Sequence, residues 1–106
     1  PIGSFQAIQH HCANMVIDVS GFQYITYLVA WKMSNGLASA TDVATAKAWV
    51  SDAYRRVTAL GHQIFGGIGF TIDHDMPLYY RRAKAAELAF GDADWHREIV
   101  AQQMGL

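Results

Sequence analysis

A glycine-rich segment is the part of this sequence best suited to binding a ligand. Residues 63–69 read Q-I-F-G-G-I-G, with three glycines in the last four positions. Glycine lets a backbone amide approach a ligand and leaves its N–H unshielded for a phosphate or carbonyl oxygen. A dinucleotide fingerprint follows a strand and opens a helix, whereas this segment closes a predicted helix. On its residues alone, it is at least as readily a helix terminator as a ligand site.

Histidines raise the question of a metal site. The sequence has five, namely His10, His11, His62, His74 and His96. Neighbouring residues on a helix point about 100° apart, so His10 and His11 cannot converge on one ion, and neither has a His or Glu partner four residues away. His74 lies between two aspartates and is typical of a solvated loop. The spacing therefore predicts no metal site.

Acidic and basic residues give no recognisable catalytic arrangement. Glu87, Asp92, Asp94 and Glu98 lie near a predicted helix junction, where a desolvated carboxylate can act as a base, but exposed helix-end acids are the commoner interpretation. No Ser-His-Asp triad, Cys-His pair or spaced carboxylate pair is present. These residues alone identify no reaction.

Two arginine pairs and many aromatic residues favour packing and salt bridges over chemistry. Arg55 and Arg56 are expected on the outer face of the second helix. Residues 79–82, Y-Y-R-R, form a cluster of planar donors near the glycine segment. Aromatic residues make up 12% of the chain, which indicates core and subunit packing.

Composition narrows the class of protein. The chain has 106 residues, enough for one domain, and is 52% hydrophobic with 16% charged residues. A net charge of -1 argues against a nucleic-acid partner, and no apolar run is long enough for a membrane span. Cys12 is the single cysteine, so we expect no internal disulfide and a cytoplasmic location. The chain begins with Pro1, which suggests that an upstream part is missing.

The first predicted helix runs from Ser4 to about Ser34. Apolar residues spaced alternately by three and four form one stripe, consisting of Phe5, Ile8, Cys12, Met15, Val19 and Phe22. Ser4 is suited to cap the first turn, and Asn35-Gly36 to a left-handed stop. Gly21 costs about 1 kcal/mol relative to alanine inside a helix, so either another backbone approaches closely there or the helix bends, and we favour close approach.

A second long helix and two shorter ones complete the predicted fold. Ser39 and Asp42 have the spacing of a capping box, and a strict alternation follows through Val43, Ala46, Val50, Ala53, Val57, Leu60 and Ile64. A third helix is predicted from Pro77 to about Phe90, and a fourth, capped by Asp92, to Gly105. The predicted class is all-α, a bundle of two long antiparallel helices plus two shorter ones.

Four segments of the sequence together resemble a known family. Residues 1–10, 46–47, 63–70 and 81–84 are similar in order and spacing to the C-terminal helical domain of the flavin-dependent acyl-CoA dehydrogenases. The string Q-I-F-G-G-x-G-F after a long helix is specific to that family. Residues 69–75 and 90–98 resemble the branch found in actinobacteria, often acting on steroid or unusual acyl-CoA substrates. The resemblance covers essentially the whole chain.

The resemblance implies an FAD enzyme acting on acyl-CoA. The α-proton of the thioester is removed as hydride leaves the β-carbon for the flavin, and an electron-transferring flavoprotein reoxidises the flavin. By motif position, the residues expected to contact FAD, chiefly the ADP half of a neighbouring subunit's FAD, are Phe5, Gln6, Gln63, Ile64, Phe65, Gly66 and Gly67. Asp92 and Asp94 match positions that close over the cofactor, and Gly91 matches the residue beside the thioester.

Two departures from the family pattern concern the catalytic base and a salt bridge. Many members carry the catalytic glutamate immediately before the glycine that matches Gly91, where this chain has Phe90. Some members instead carry the base on an earlier helix, which would lie upstream of Pro1, and some heteromeric members have subunits with no base at all. Asp92 is a poor substitute. Arg82 stands where an aspartate commonly follows the arginine, so a local salt bridge is expected to differ.

The resemblance also implies N-terminal and middle domains upstream of these residues. Residues 1–106 are expected to form the C-terminal domain, truncated on its N-terminal side, and to be inactive alone. An uncovered apolar face predicts a homo-oligomer or a hetero-oligomer with a paralogous chain. The alternative function is a non-catalytic helical assembly module that keeps the scaffold, and Phe90 is its best support.

Overall fold

The fold consists of helices joined by short turns. The computed structural model describes all 106 residues, and none of them forms a strand. The four α-helices are α1 Gln6–Ser34, α2 Ala40–Phe65, α3 Met76–Leu88 and α4 Ala93–Met104, with short 3-10 turns at Ile2–Ser4 and Gly66–Phe70. No helix is both long enough and apolar enough to cross a bilayer. The predicted all-α class, with two long and two shorter helices, is confirmed.

Ion pairs between α1 and α2 set their antiparallel register. Lys32 Nζ lies 2.7 Å from Asp42 Oδ1 at one end of the pair. Towards the other end, Arg56 donates to both carboxylate oxygens of Asp18, at 3.0 and 2.7 Å. From Asp18 to Lys32 the residue numbers increase along α1, while those of their partners on α2 decrease from Arg56 to Asp42. The two helices therefore run in opposite directions, as predicted.

The two arginines of α2 are not confined to its outer face. Their side chains are half-exposed, but Arg56 reaches Asp18 on α1, and Arg55 lies 3.7 Å from the carboxylate of Glu87 on α3. Both residues are exposed, as predicted. They also form ion pairs with neighbouring helices, because a guanidinium group on a long stem can cross to another helix while it stays partly solvated.

Helix α2 is the centre of the bundle, since α1, α3 and α4 all pack against it. Seven of its residues are buried, and most have small side chains: Ala44, Ala46, Ala48, Ser51, Ala53, Thr58 and His62. Small residues let helix axes approach closely. Six of the seven residues of the predicted stripe are buried or half-buried, and the exception is Val43, which is 40% exposed. Burial also extends beyond that stripe to other sides of α2.

Helix α1 packs with only part of its predicted stripe. Ile8, Met15 and Phe22 are half-buried, whereas Phe5, Cys12 and Val19 are exposed. The half-buried side also includes the charged residues Asp18 and Lys32, because their ion pairs with α2 compensate for partial burial. Apolar periodicity alone therefore misjudged this side of the helix.

The helix ends are mostly as predicted, except at the start of α1. Ser39 and Asp42 form the capping box, and Gly36 has a φ of +67° at the end of α1. Ser4, in contrast, donates its hydroxyl to the Pro1 carbonyl at 2.8 Å and caps nothing. Helix α1 begins at Gln6 after Phe5, which provides no side-chain cap.

Gly21 makes the close contact between α1 and α2. A Cβ on this glycine would overlap the indole ring of Trp49. Helix α1 runs through this position without a break. Close approach was the right expectation, but the approaching group is a tryptophan side chain and not a backbone.

Gly21→Ala is expected to destabilise the protein by about 1–3 kcal/mol, as overpacked core substitutions do. Alanine is favoured in helices by about 1 kcal/mol, but here its Cβ would overlap Trp49. Gly61→Ala is the matched control, since its Cβ would meet only the flexible end of Met76, at 3.1 Å from Cε. Urea unfolding measures both variants, and equal effects would contradict the close contact.

Acid should destabilise the protein through Asp42. A hydrogen bond from Lys32, and then one from the Ser39 backbone N–H, lower the pKa of Asp42 from 3.8 to about 2. The pKa is lower in the folded chain, so the stabilisation is complete above about pH 4 and is lost as the pH falls through about 2. The melting temperature should therefore fall less between about pH 4 and pH 2 in Asp42→Asn than in Asp73→Asn. The same fall in both variants would refute the assignment.

Candidate functional site

The glycine turn closes α2. Gly66 has a φ of +62°, and its N–H donates to the carbonyl of His62, so the helix stops here and a 3-10 turn follows. The predicted helix termination is confirmed. The expectation of an unshielded N–H is wrong for Gly66, because that amide completes the last turn of α2.

The three glycines of the turn have different roles. Gly69 is buried, and a Cβ there would lie 2.9 Å from the Phe65 Cβ, so this position requires close packing. A Cβ at Gly66 or Gly67 would meet nothing within 4 Å. The first two glycines therefore leave one side of the backbone open to an incoming group, and the third holds the turn against α2.

A cavity of about 340 Å³ lies beside this turn. Its lining residues are Ala59, His62, Gln63, Gly66, Phe70 and Tyr80. The His62 ring lies 4.7 Å from the Phe70 ring, and Tyr80 meets it edge-on at 4.9 Å between centroids. The cavity thus has aromatic walls and no charged residue.

His62 is the buried polar group of this cavity. It is 7% exposed, and its Nδ1 is sealed from solvent without a hydrogen-bond partner. A Cβ on Gly69 would lie 3.6 Å from that nitrogen, which shows that the turn covers it. In the sequence, His62 stood out only as one of five possible metal ligands, and its place in this cavity was not predicted. Its position directly before Gln63 was the available signal.

Most of the candidate cofactor residues lie at one end of the bundle. Helices α1 and α2 are antiparallel, so Phe5 and Gln6, where α1 starts, lie at the same end as residues 63–67. Phe5 is 64% exposed and Gln6 is exposed. Ile64 is half-buried, and the ring of Phe65 lies 4.5 Å from His74. The structure therefore brings the start of α1 and the glycine turn to the same end of the bundle.

The remaining candidates lie elsewhere. Asp92, Asp94 and Arg55 line one small polar cavity, which places the loop after α3 beside the middle of α2. Arg55 and Gly66 are roughly 16 Å apart along α2 at 1.5 Å per residue. Asp92 accepts a hydrogen bond from the Trp95 N–H at 2.9 Å as the cap of α4, as predicted. Asp94 is paired with Arg97 at 2.7 Å.

The loop between α3 and α4 holds an unusual backbone. Helix α3 ends at Leu88, within two residues of the predicted end, because Ala89 leaves the helical conformation with a φ of −63° and a ψ of 130°. Phe90 then has a φ of +61°, a strained conformation for a bulky residue. The Phe90 side chain is 92% exposed. A ring nitrogen of buried His96 lies 3.0 Å from the Phe90 carbonyl and fixes the turn. Phe90 has no group that can accept a proton.

Lys47 ties this loop to α2. Its ammonium donates to Ser51 Oγ at 2.9 Å and to the carbonyls of Ala86 and Glu87 at 2.9 and 3.0 Å. These carbonyls belong to the last turn of α3, where a cation is favoured. Partial burial lowers the pKa of Lys47. The resemblance had marked Lys47 only as a motif residue, and its three acceptors explain why a lysine is placed there.

The histidines do not gather into a metal centre. His10 and His11 lie on α1, whereas His62 and His96 are buried on α2 and α4. No three His, Cys, Asp or Glu side chains converge on a site that could hold a metal ion.

Comparison with known proteins agrees with these features. The profile of the family described as "Acyl-CoA dehydrogenase, C-terminal domain" matches residues 1–105. Acyl-CoA dehydrogenase FadE27 of Mycobacterium tuberculosis is 38% identical over 98% of this chain and 30% of its own length. Acyl-CoA dehydrogenase IpdE2 of Mycolicibacterium smegmatis is 35% identical over 86% of this chain and 28% of its own length.

Solved structures share the fold. A chain from the structure of the electron transferring flavoprotein of Acidaminococcus fermentans superposes with a TM-score of 0.91 at 31% identity, over 97% of this chain and 27% of that one. The FAD complex of PigA gives a TM-score of 0.91 at 23% identity, over 99% of this chain and 27% of that one, which shows the fold alone. This chain thus spans less than a third of the proteins it matches. It belongs to the acyl-CoA dehydrogenase family, to which it corresponds as the C-terminal domain.

Proposed function

We propose that the chain acts as the C-terminal domain of an FAD-dependent acyl-CoA dehydrogenase that forms an α,β double bond in an acyl-CoA thioester. The observation that carries this proposal is the family match over residues 1–105, combined with a glycine turn whose first two glycines have an open side. The match covers about 30% of a relative's length, so the activity belongs to a larger subunit.

The end of the bundle suits the ADP half of FAD. Gly67 leaves room for a close approach, and the buried His62, whose Nδ1 has no partner, lines the cavity together with Gly66. The residues that would hold this part of a neighbouring subunit's FAD are Phe5, Gln6, Gln63, Ile64, Phe65, Gly66 and Gly67. When bound, FAD supplies the hydride acceptor. The part of this chain is to orient the nucleotide and to exclude water from it.

The loop after α3 is the proposed contact with substrate and with the rest of the cofactor. Gly91 would flank the thioester, and Asp92 and Asp94 would close over the cofactor. Phe90 cannot remove the α-proton, so the base lies outside these residues. Within the chain, Lys47 holds the start of this loop through the carbonyl of Glu87, and His96 holds it through the carbonyl of Phe90.

Partners follow from an apolar face on α1. No residue of α1 is buried, and several large exposed residues lie within about 120° of its circumference, opposite α2. They are Val16, Ile17, Tyr24, Tyr27, Leu28 and Trp31. We propose that this face is covered by assembly, in a homo-oligomer or with a paralogous chain. An electron-transferring flavoprotein is the proposed oxidant of the reduced enzyme.

A second candidate is a non-catalytic helical assembly module. Phe90 favours it, because the residue occupies the place of the family's glutamate and is 92% exposed. The two proposals differ in flavin binding. A module that has lost the chemistry needs no open side at Gly67, whereas a dehydrogenase domain does.

Gly67→Val should weaken FAD binding in the complete subunit that contains this chain. The valine side chain would enter open space and leave the fold intact, but it would block approach to the turn. We expect roughly tenfold weaker binding, as for the loss of one hydrogen bond. Flavin absorbance after dialysis and far-UV circular dichroism measure the two properties. Ile68→Val in the same turn is the control, and equal flavin retention in both variants would favour the assembly module.

Leu28→Glu should dissociate the assembly of the 106-residue chain. A carboxylate would have to be desolvated at the apolar face of α1, so association should weaken by at least roughly tenfold. Leu88→Glu on α3 is the matched control, since these leucines are 51% and 56% exposed. Sedimentation measures the mass of each variant. A well-folded wild-type monomer would contradict the proposed role of α1.

A further inference from the structure

The loop between α3 and α4 turns through two consecutive residues with positive φ. Phe90 has a φ of +61° and Gly91 a φ of +94°. Glycine adopts this region freely, whereas a phenylalanine is strained there. The Phe90 ring is 92% exposed, so packing of that ring within the chain does not compensate for the strain. The conformation must therefore be imposed through the backbone.

His96 binds the backbone on both sides of Gly91. Its ring nitrogen Nε2 lies 3.0 Å from the Phe90 carbonyl oxygen, and its backbone N–H donates to the Asp92 carbonyl at 3.2 Å. Both contacts come from one buried residue near the start of α4, and that helix packs against α2. The place of Gly91 is therefore tied to the helix bundle through His96.

The tautomer of His96 follows from its surroundings. The Phe90 carbonyl can only accept a hydrogen bond, so Nε2 carries the proton. The residue is 7% exposed, and its Nδ1 is sealed without a partner. A buried N–H without an acceptor is rarer than a buried lone pair without a donor, which agrees with an unprotonated Nδ1. The single ring donor of His96 is therefore directed at Phe90.

Trp95 packs against both His96 and Gly91. The indole meets the His96 ring edge-on, with 4.7 Å between the ring centroids. A Cβ on Gly91 would overlap the same indole. The Trp95 backbone N–H donates to the Asp92 side chain at 2.9 Å. Gly91 is thus enclosed between an aromatic ring and two fixed carbonyls, and it cannot shift towards α4 without displacing Trp95.

We propose that His96 is a positioning residue for the proposed reaction, whose Nε2–H holds the Phe90 carbonyl and thereby keeps Gly91 where the substrate thioester would lie. The inference rests on the proposed function and deepens it, because it names the residue that sets the conformation of the loop facing the substrate. His96 is buried, so it acts through the backbone and not by touching substrate. Without its hydrogen bond, the φ of Phe90 is free to return to a negative value, which moves Gly91.

Steady-state kinetics of the complete subunit that contains this chain, in its native assembly, tests the role. His96→Leu removes the donor and should lower kcat for acyl-CoA oxidation about tenfold, as for the loss of one hydrogen bond. The KM for acyl-CoA should change by less than about threefold, because the loop would meet the substrate only at the thioester. His96→Gln, whose amide nitrogen has a reach similar to that of Nε2, should restore most of kcat.

Controls separate this effect from a loss of folding. His10→Leu makes the same substitution at an exposed position and should leave kcat unchanged. Should His96→Leu lose its helical circular dichroism signal, His96→Asn serves instead, since its shorter amide cannot reach the Phe90 carbonyl. Wild-type kcat in a folded variant of either kind at position 96 would overturn the inference.

Relief of the backbone strain gives a second test. Glycine adopts a positive φ without strain, so His96→Leu should lower kcat by less than about threefold in a Phe90→Gly background. Ala89→Gly is the matched background, because Ala89 has a φ of −63° in the same loop, and the loss there should remain about tenfold. Equal losses in the two backgrounds would show that His96 does not act through the strained residue.

Nuclear magnetic resonance of the 106-residue chain with isotope-labelled histidine identifies the tautomer directly. His96 should show a protonated Nε2 and an unprotonated Nδ1, and the opposite tautomer would overturn the inference while the proposed function stands. A wild-type assembly that oxidises no acyl-CoA would instead overturn the proposed function. The histidine signals would then still measure the hydrogen bond to Phe90, so the two failures are distinguishable.

Discussion

The bundle depends on one constraint, which is that α2 must accept three helices at once. A helix with large side chains would hold its neighbours apart, and α2 avoids this with buried alanine, serine and threonine residues. The cost is a thin core with little apolar volume. Polar links between helices, such as Asp18 with Arg56 and Lys47 with the end of α3, fix the alignment that bulky packing would otherwise provide.

The sequence was sufficient for features set within one helix. The capping box at Ser39, the stop at Gly36 and the break at Gly66 depend on local backbone chemistry, and all were predicted. The packed side of α1 was only partly predicted, because α1 is apolar on two sides and its partner decides which side packs. Charged residues such as Asp18 belong to that side only because Arg56 lies opposite.

The candidate site was likewise only partly predictable from the sequence. The glycine turn was visible in the sequence because its residues are consecutive. The cavity beside it was not, since it needs His62 from α2, Phe70 from the turn and Tyr80 from α3 to meet in space. Likewise, the resemblance identified Phe90 as unusual, but its strained backbone depends on His96, six residues further along the chain. Contacts between elements carry this information, and periodicity does not contain it.

The contact between Gly21 and Trp49 has a consequence for how the sequence can evolve. An indole ring occupies the volume that any side chain at position 21 would need, so the two positions cannot enlarge independently. A residue larger than glycine becomes acceptable only after Trp49 is replaced by something smaller, and the reverse order passes through a destabilised intermediate. Homologous sequences should therefore show covariation between these two columns, with their summed side-chain volume nearly constant.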